Sequence, residues 1–308
     1  MLAGCMRSTM SRFFSILAIL AICFVSCNKA PKLDQLESQY ITLDDGSKVH
    51  YKVCGKGGIT LCFVHGFGCD VNVWQKQYED FFKDTIRMVF IDLPGYGKSD
   101  KPEVEYTLPY FADAVNRVLD SLGVSRVVMV GHSLGSAVCR QLIFDHPVKV
   151  SAFCDIDGVY CFYGTETSLP NDYEESINQF VEQFHGANFL TNMEQFIVNM
   201  EGPFTPDYIS NYALETMMQT PEQVAYSTMS NLVKKDYWTG EKINIPSLIL
   251  CTHISGIDPD NKQKMDELYN DATYVELQNT GHFIMMEDAG IVNNLLERSY
   301  EKWKQTEL

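Results

Sequence analysis

Short apolar runs rich in β-branched residues alternate along the chain with segments whose apolar positions recur every three or four residues. The first pattern is typical of strands buried on both faces, and the second of helices packed on a sheet. The apolar runs predict eight strands, at 40–43, 48–54, 59–64, 87–91, 127–130, 150–156, 247–251 and 274–277. The other segments predict helices at 71–82, 108–122, 134–145, 262–269 and 288–304. This alternation favours an α/β fold with a mostly parallel eight-stranded sheet flanked by helices.

The alternation is interrupted between the sixth and seventh strands. Residues 160–240 contain many aromatic residues and methionines but no convincing strand. We expect this segment to be a helical cap insertion over the carboxyl ends of the strands. Residues 40–159 and 241–308 are then expected to form the core.

The N-terminal residues have the order of a secretory signal, with basic residues before an apolar run at 13–25. The run is about thirteen residues long, which is shorter than the roughly 20 residues of a spanning helix. Residues 24–27 resemble the bacterial lipobox, which implies a signal peptide at 1–27, a lipid on Cys27 and an exported cell-envelope lipoprotein anchored in a membrane. An ordinary signal peptide cut near Cys27 is the alternative. Residues 28–39 are polar and predict a short tether.

The net charge argues against a nucleic acid partner, and the cysteine spacing argues against a zinc site and a disulfide framework. The chain has 24 Lys+Arg against 40 Asp+Glu, a formal net charge of -16, which would repel a nucleic acid backbone. The cysteines after Cys27 include no CxxC pair, so their spacing indicates neither a zinc site nor a disulfide framework. We interpret most of them as buried small hydrophobic residues.

The strongest chemical signal follows the fifth predicted strand. Residues 131–135 read G-H-S-L-G between a strand and a helix, which is the context of a nucleophile elbow with Ser133 as nucleophile. The third strand ends in H-G-F-G, whose glycines let a backbone amide approach the nucleophile. We predict that the amides of Phe67 and Leu134 form an oxyanion hole. His282 follows the last strand and is the predicted general base, whereas the histidines inside the two motifs are interpreted as structural.

With these motifs in this order, the chain resembles the α/β-hydrolase superfamily, specifically the branch with a cap after the sixth strand. The resemblance covers roughly residues 40–304 and includes D-L-P-G-Y-G-K-S at 92–99 and a G-H-F followed by M-E-D near the C-terminus. It implies a serine hydrolase that forms an acyl-enzyme and requires no metal or organic cofactor. Asp92 is expected to hold its loop and to take no part in chemistry.

The acid that should orient His282 has two candidates. The family usually places this acid after the seventh strand, at a register that falls on Ser255 in this chain, and the nearest carboxylate is Asp258. Some relatives carry the acid at the end of the sixth strand, where Asp157 lies. Asp155 shares a face with Asp157 if the strand continues, but lies deeper. We predict Asp157 as the acid and keep Asp258 as the alternative.

A serine at the elbow argues against dehalogenase and epoxide hydrolase chemistry, because relatives with those activities carry an aspartate there. The leading expectation is a carboxylesterase-like enzyme acting on a small-molecule ester or related acyl substrate. Aromatic residues in the cap indicate an apolar acyl or aryl group, or equally well the packed core of the cap. The alternatives are a meta-cleavage-type carbon–carbon bond hydrolase and a non-catalytic, lipid-tethered binding protein of the same fold.

Overall fold

A single sheet organises the part of the chain that the computed structural model describes, which is residues 32–81, 85–158, 173–238, 242–252 and 265–305. In the sheet the strands follow the order β1-β2-β4-β3-β5-β6-β7-β8. The β1–β2 and β2–β4 pairs are antiparallel and the remaining pairs are parallel. The predicted fold class is confirmed. The strands are β1 (Gln39–Thr42), β2 (Lys48–Cys54), β3 (Thr60–Val64), β4 (Arg87–Ile91), β5 (Val127–His132), β6 (Val150–Ile156), β7 (Ser247–Thr252) and β8 (Ala272–Leu277).

Burial along the strands explains why they could be recognised in the sequence. Every residue of β3, β5 and β7 is buried, as expected for parallel strands covered on both faces. The edge strand β1 alternates half-buried and exposed residues, and the other edge strand, β8, is mostly half-buried or exposed. The apolar runs therefore mark the centre of the sheet most clearly.

Helices flank the sheet, and along the chain they alternate with its strands. The predicted helix at 71–82 is a 3₁₀ turn at Val71–Trp74 followed by α1, because the Asp70 carboxylate accepts the Asn72 N–H and caps a separate turn. Of the predicted helix at 262–269, residues 265–268 are described as helical. The helices are α1 (Gln75–Phe81), α2 (Leu108–Ser121), α3 (Leu134–Asp145), α4 (Tyr173–Glu182), α5 (Phe189–Val198), α6 (Asp207–Met217), α7 (Glu222–Leu232), α8 (Ile284–Glu287) and α9 (Ala289–Gln305).

Helices α4 to α7 lie between β6 and β7 in the chain and pack over the carboxyl ends of the strands. The Tyr212 hydroxyl on α6 donates a 3.0 Å hydrogen bond to Asp70 after β3, and the Tyr96 hydroxyl after β4 donates a 2.8 Å bond to Thr228 on α7. The described part of the predicted cap, 173–238, is helical and contains no strand. Both predicted boundaries of the cap lie outside the described residues.

The segment before β1 is docked on the fold. Leu33 is fully buried, and the buried Lys52 ammonium donates hydrogen bonds to the carbonyls of Asp34 (3.2 Å) and Leu36 (2.5 Å). Residues 32–38, which the sequence predicted as part of a short polar tether, are therefore held against the fold by backbone carbonyls that bind a buried cation. Cys27 and the apolar run before it lie outside the described residues. None of the described helices combines the length and hydropathy that crossing a membrane requires.

Asp92 holds the loop after β4, as predicted. Its Oδ1 accepts the Val71 N–H at 2.7 Å, and its Oδ2 accepts the Lys98 N–H at 2.8 Å and lies 2.7 Å from His50 Nδ1. Burial alone would raise the pKa of Asp92, but the hydrogen bond from His50 and the charge of His65 hold it below its ordinary value. The carboxylate joins β2, the β3–α1 connection and the β4 loop.

We expect Asp92→Ala to lower the free energy of unfolding by about 3–5 kcal/mol, since it leaves several buried donors without an acceptor. The matched control is Asp113→Ala on α2, whose carboxylate is 52% exposed and pairs with Arg117 at 2.6 Å. That exposed pair should cost about 0–1 kcal/mol. Urea denaturation of both variants measures the difference, and equal losses would contradict the assignment of Asp92 as a loop anchor.

Candidate active site

Ser133 occupies a strained turn between β5 and α3. Its φ of 52° and ψ of -118° lie in a region that residues other than glycine rarely adopt. A Cβ on Gly135 would lie 2.1 Å from the Val64 carbonyl oxygen, and a Cβ on Gly131 would lie 2.7 Å from the Gly135 backbone. Side chains at these two positions would push α3 away from the strands. The two glycines therefore permit the turn, which leaves Ser133 half-buried at the carboxyl end of β5.

The two amides predicted for an oxyanion hole lie on segments that flank Ser133. Leu134 is the first residue of α3, so its N–H has no acceptor within the helix and lies at the positive end of the helix dipole. A Cβ on Gly66 would lie 3.1 Å from Ser133 Cβ, which places the residue before Phe67 against the serine. Neither the Phe67 nor the Leu134 N–H donates a backbone hydrogen bond to another described residue.

His282 contacts the carboxylate at the end of β6. Its Nδ1 lies 2.5 Å from Asp157 Oδ2, and Asp157 Oδ1 accepts a 3.0 Å hydrogen bond from the Thr252 N–H. Asp157 is 2% exposed, whereas the His282 side chain is 19% exposed. Because a carboxylate only accepts, the His282 Nδ1 carries a proton, and Nε2 is the ring nitrogen that can accept one.

The acid candidates have different surroundings. β6 ends at Ile156, and Asp157 has a φ of 45°, so the strand alternation that would place it on the Asp155 face does not continue. Asp155 is buried, and its Oδ2 accepts a 2.6 Å hydrogen bond from the Tyr269 hydroxyl. Asp258 lies outside the described residues. Within the described ranges, Asp157 is the carboxylate in contact with the His282 ring.

The backbone of His282 is held from two sides. Its N–H donates a 2.9 Å hydrogen bond to the Met200 carbonyl in the connection between α5 and α6, and its carbonyl lies 3.0 Å from His132 Nε2. The rings of His132 and His282 are 4.6 Å apart between centroids and inclined at 46°. The residue next to Ser133 therefore contacts His282. Sequence reasoning did not single out Met200 or Thr252, because bonds made by the main chain leave no signal in the pattern of side chains.

Residues 59–289 match the family model described as the alpha/beta hydrolase fold. This match covers well over half of the 308 residues. The chain belongs to this family. The predicted membership is thereby confirmed, together with the fold it implied.

Two relatives that match this chain carry names that describe different reactions. The chain is 26% identical over 227 residues to a 2-hydroxy-6-oxononadienedioate/2-hydroxy-6-oxononatrienedioate hydrolase from Pseudomonas sp, an alignment that covers 70% of this chain and 78% of the relative. It is 39% identical over 106 residues to the dihydrolipoyllysine-residue acetyltransferase component of an acetoin cleaving system from Cupriavidus necator, but covers only 28% of that relative's length and 34% of its own. The first relative is named as a hydrolase and the second as an acetyltransferase component, so these similarities leave the substrate of this chain open.

Solved structures share the fold at low sequence identity. An esterase from Exiguobacterium antarcticum superposes with a TM-score of 0.75 over 86% of this chain and 100% of the esterase. The two sequences are 17% identical, so this likeness shows the fold alone.

An aromatic cluster from the cap of this α/β-hydrolase fold packs on Phe67. The Phe67 ring lies 5.6 Å from that of Phe184 and 5.9 Å from that of Phe196, both nearly perpendicular to it. Phe184 and Phe196 are 5.1 Å apart, and Phe180 lies 5.3 Å from Phe184. Edge-to-face contacts of this kind stabilise a rigid apolar surface. Phe67 is part of this surface, and its amide is one of the two predicted to form the oxyanion hole.

Cysteines and acidic residues provide no candidate metal site in the ranges the structure describes. No group of three or more His, Cys, Asp or Glu is placed there to hold an ion. Cysteines 62, 69, 139, 154 and 251 are free and buried, which confirms for these five the predicted role of small hydrophobic residues. Burial raises the pKa of each of their thiols. Cys161 lies outside the described residues.

Glu287 supports the His282 segment from the far side. Its Oε2 accepts a 2.9 Å hydrogen bond from the Gly281 N–H. Burial raises the pKa of Glu287, and the bonds from Gly281 and Thr205 only partly oppose this. The carboxylate therefore links the His282 segment to the cap. Its ionised form lowers the stability of the folded protein, because the charge is partly buried.

We expect Glu287→Gln to change how stability depends on pH. Because the folded protein raises the pKa of Glu287, folding is favoured at low pH, and that contribution is lost as the pH rises from about 4.5 through the raised pKa. The stability of Glu287→Gln relative to the wild type should therefore increase over this window. Urea denaturation between pH 4 and 8 measures it, with Glu301→Gln on the exposed end of α9 as the control; a constant difference would contradict the raised pKa.

Proposed function

We propose that the protein is a serine hydrolase that cleaves carboxylic esters or related acyl substrates through an acyl-enzyme on Ser133. The observation that carries this proposal is the 2.5 Å contact between His282 Nδ1 and Asp157 Oδ2, beside the strained turn that presents the serine. A buried carboxylate in this position selects the tautomer of the histidine and stabilises its imidazolium form. The same contact supports a catalytic protein over a non-catalytic one.

The proposed reaction has two halves. As Ser133 Oγ attacks the acyl carbon, His282 Nε2 takes the hydroxyl proton, and the negative charge on the carbonyl oxygen is stabilised by the Phe67 and Leu134 amides. Collapse of this intermediate breaks the bond to the leaving alcohol, which takes the proton from His282. A water molecule then gives a proton to His282 and attacks the acyl carbon; as this second intermediate collapses, the bond to Ser133 Oγ breaks, His282 returns the proton to that oxygen, and the acid is released.

The aromatic cluster supports an apolar acyl or aryl group in the substrate. Phe184 is 1% exposed and belongs to the packed interior of the cap. Phe180 and Phe196 are only partly buried, so they retain surface that a ligand can cover. We propose that an aliphatic or aromatic acyl chain packs on this surface, with its carbonyl beside Phe67.

A second candidate reaction is the hydrolysis of a carbon–carbon bond in a meta-cleavage product. The observation that favours it is the aligned relative from Pseudomonas sp, whose own name describes a hydrolase of 2-hydroxy-6-oxononadienedioate and 2-hydroxy-6-oxononatrienedioate. The proposed serine, histidine and acid are compatible with either bond, so the substrate distinguishes the two reactions.

We also propose that the protein is exported and carries a lipid on Cys27. In the chain, residues 28–31 separate Cys27 from Lys32, the first described residue. Five backbone steps span at most about 17 Å, which would hold the enzyme close to the membrane surface. A substrate with an apolar acyl chain is consistent with that location.

The proposed function predicts turnover of p-nitrophenyl esters that improves with acyl length over the shorter chains. Ser133→Ala should reduce kcat by about 10⁶-fold, because no other group supplies the nucleophile. Ser136→Ala, one turn into α3, is the matched control and should retain activity. Absence of ester turnover together with hydrolysis of 2-hydroxy-6-oxononadienedioate would favour the second candidate.

The acid assignment predicts that Asp157→Asn lowers kcat by about 10⁴-fold, because the amide can stabilise the wrong histidine tautomer and carries no charge. Asp258→Asn should leave kcat within about threefold of the wild type if Asp258 is not the acid. Thermal unfolding of both variants checks that the folds are intact. If kcat falls by about 10⁴-fold in Asp258→Asn and stays near the wild-type value in Asp157→Asn, the assignment is wrong.

A further inference from the structure

His132 lies at the junction of the three segments that form the site, although the proposed reaction gives it no role. It is 1% exposed. Its Nε2 lies 3.0 Å from the His282 carbonyl, and its ring is 5.6 Å from that of Phe283. On the opposite side, a Cβ on Gly66 would lie 2.8 Å from its Nδ1. One side chain therefore contacts both the segment that follows β3 and the segment that carries His282.

The contacts of His132 determine where its proton is. A carbonyl only accepts, so Nε2 donates and the neutral ring leaves Nδ1 unprotonated. Among the described residues, Nδ1 has no hydrogen-bond partner. Burial, and then the charge of His282, lower the pKa of His132 well below its ordinary value, and His65 adds to the effect. A second proton would have no acceptor and would repel the imidazolium that forms on His282.

The link between His132 and His282 is short and joins the two proposed reacting groups. His132 is adjacent to Ser133 in the chain, and its hydrogen bond is to the same residue that carries the proposed general base. The carbonyl end of His282 is fixed by this bond, and its amide end is fixed by Met200. A displacement of the base by about 1 Å can cost about 10²-fold in rate.

We propose that His132 is a positioning residue that fixes the His282 ring beside Ser133 through a hydrogen bond from its Nε2–H to the His282 carbonyl. This inference rests on the proposed function, because it assigns His132 to the same reaction. The inference also requires that the side chain at position 132 donate this hydrogen bond while it is uncharged. A cationic donor could make the same bond but would oppose the charge that develops on His282.

Two substitutions distinguish the effect of losing the hydrogen bond from the effect of losing the imidazole ring. The amide nitrogen in His132→Gln reaches approximately as far as Nε2 and can donate to the carbonyl, whereas that in His132→Asn lies near the position of Nδ1 and cannot reach it. We expect His132→Asn to lose about tenfold or more in kcat on a p-nitrophenyl ester, with KM within about twofold. His132→Gln should recover most of that loss. Thermal unfolding of both variants shows whether either has simply lost its fold.

A second measurement does not depend on turnover. The proton shared by His282 Nδ1 and Asp157 gives a low-field NMR resonance, and Asp157→Asn identifies it by removing it. The resonance should shift or broaden in His132→Asn and persist in His132→Gln. A folded His132→Asn with wild-type kcat and an unchanged resonance would overturn the inference, as would equal losses in the two variants. If a fluorophosphonate fails to label wild-type Ser133, the proposed function fails, and the resonance still reports whether His132 orients His282.

Discussion

The close approach of α3 to the carboxyl end of β3 determines the geometry of the candidate site. It is possible only because residue 135 is glycine, since a Cβ there would overlap the Val64 carbonyl. With α3 in this position, Ser133 must adopt a positive φ, a strain of about 1–3 kcal/mol. The packing of α3 offsets this strain, because nine of its twelve residues are buried. The position of the half-buried serine at the carboxyl end of β5 and the amide without a backbone partner at the start of α3 are consequences of the same contact.

Strand order explains how an acid at the end of β6 can serve a histidine that follows β8. β6 lies between β5 and β7 in the sheet, so Asp157 is next to both the Ser133 turn and the end of β7. The Thr252 N–H on β7 donates to one carboxylate oxygen, and His282 lies at the other. A buried carboxylate requires partners of this kind on both oxygens, because desolvation without them is costly. The end of β6 therefore provides a complete environment for the acid.

The sequence predicted the parts of the fold that depend on local pattern. The central strands were placed within two residues because they are apolar throughout, and the elbow was recognised because its glycines are required by a close backbone approach. The sequence predicted Asp157 as the acid but left Asp258 open, because the choice between them depends on which loop reaches His282 in three dimensions. The docking of residues 32–38 was missed for a similar reason. Their polar composition conceals backbone carbonyls that bind Lys52.

The cap packs over the site and also helps to position His282. The Met200 carbonyl between α5 and α6 accepts the His282 N–H, while a Cβ on Gly202 would lie 2.4 Å from the Gly281 nitrogen. The same helical region carries Phe184 and Phe196, which pack against Phe67. A substrate that displaces these aromatic rings would therefore also move the segment that holds the histidine. In the proposed reaction, contact with the acyl group and the position of His282 would both depend on how the cap packs on the sheet.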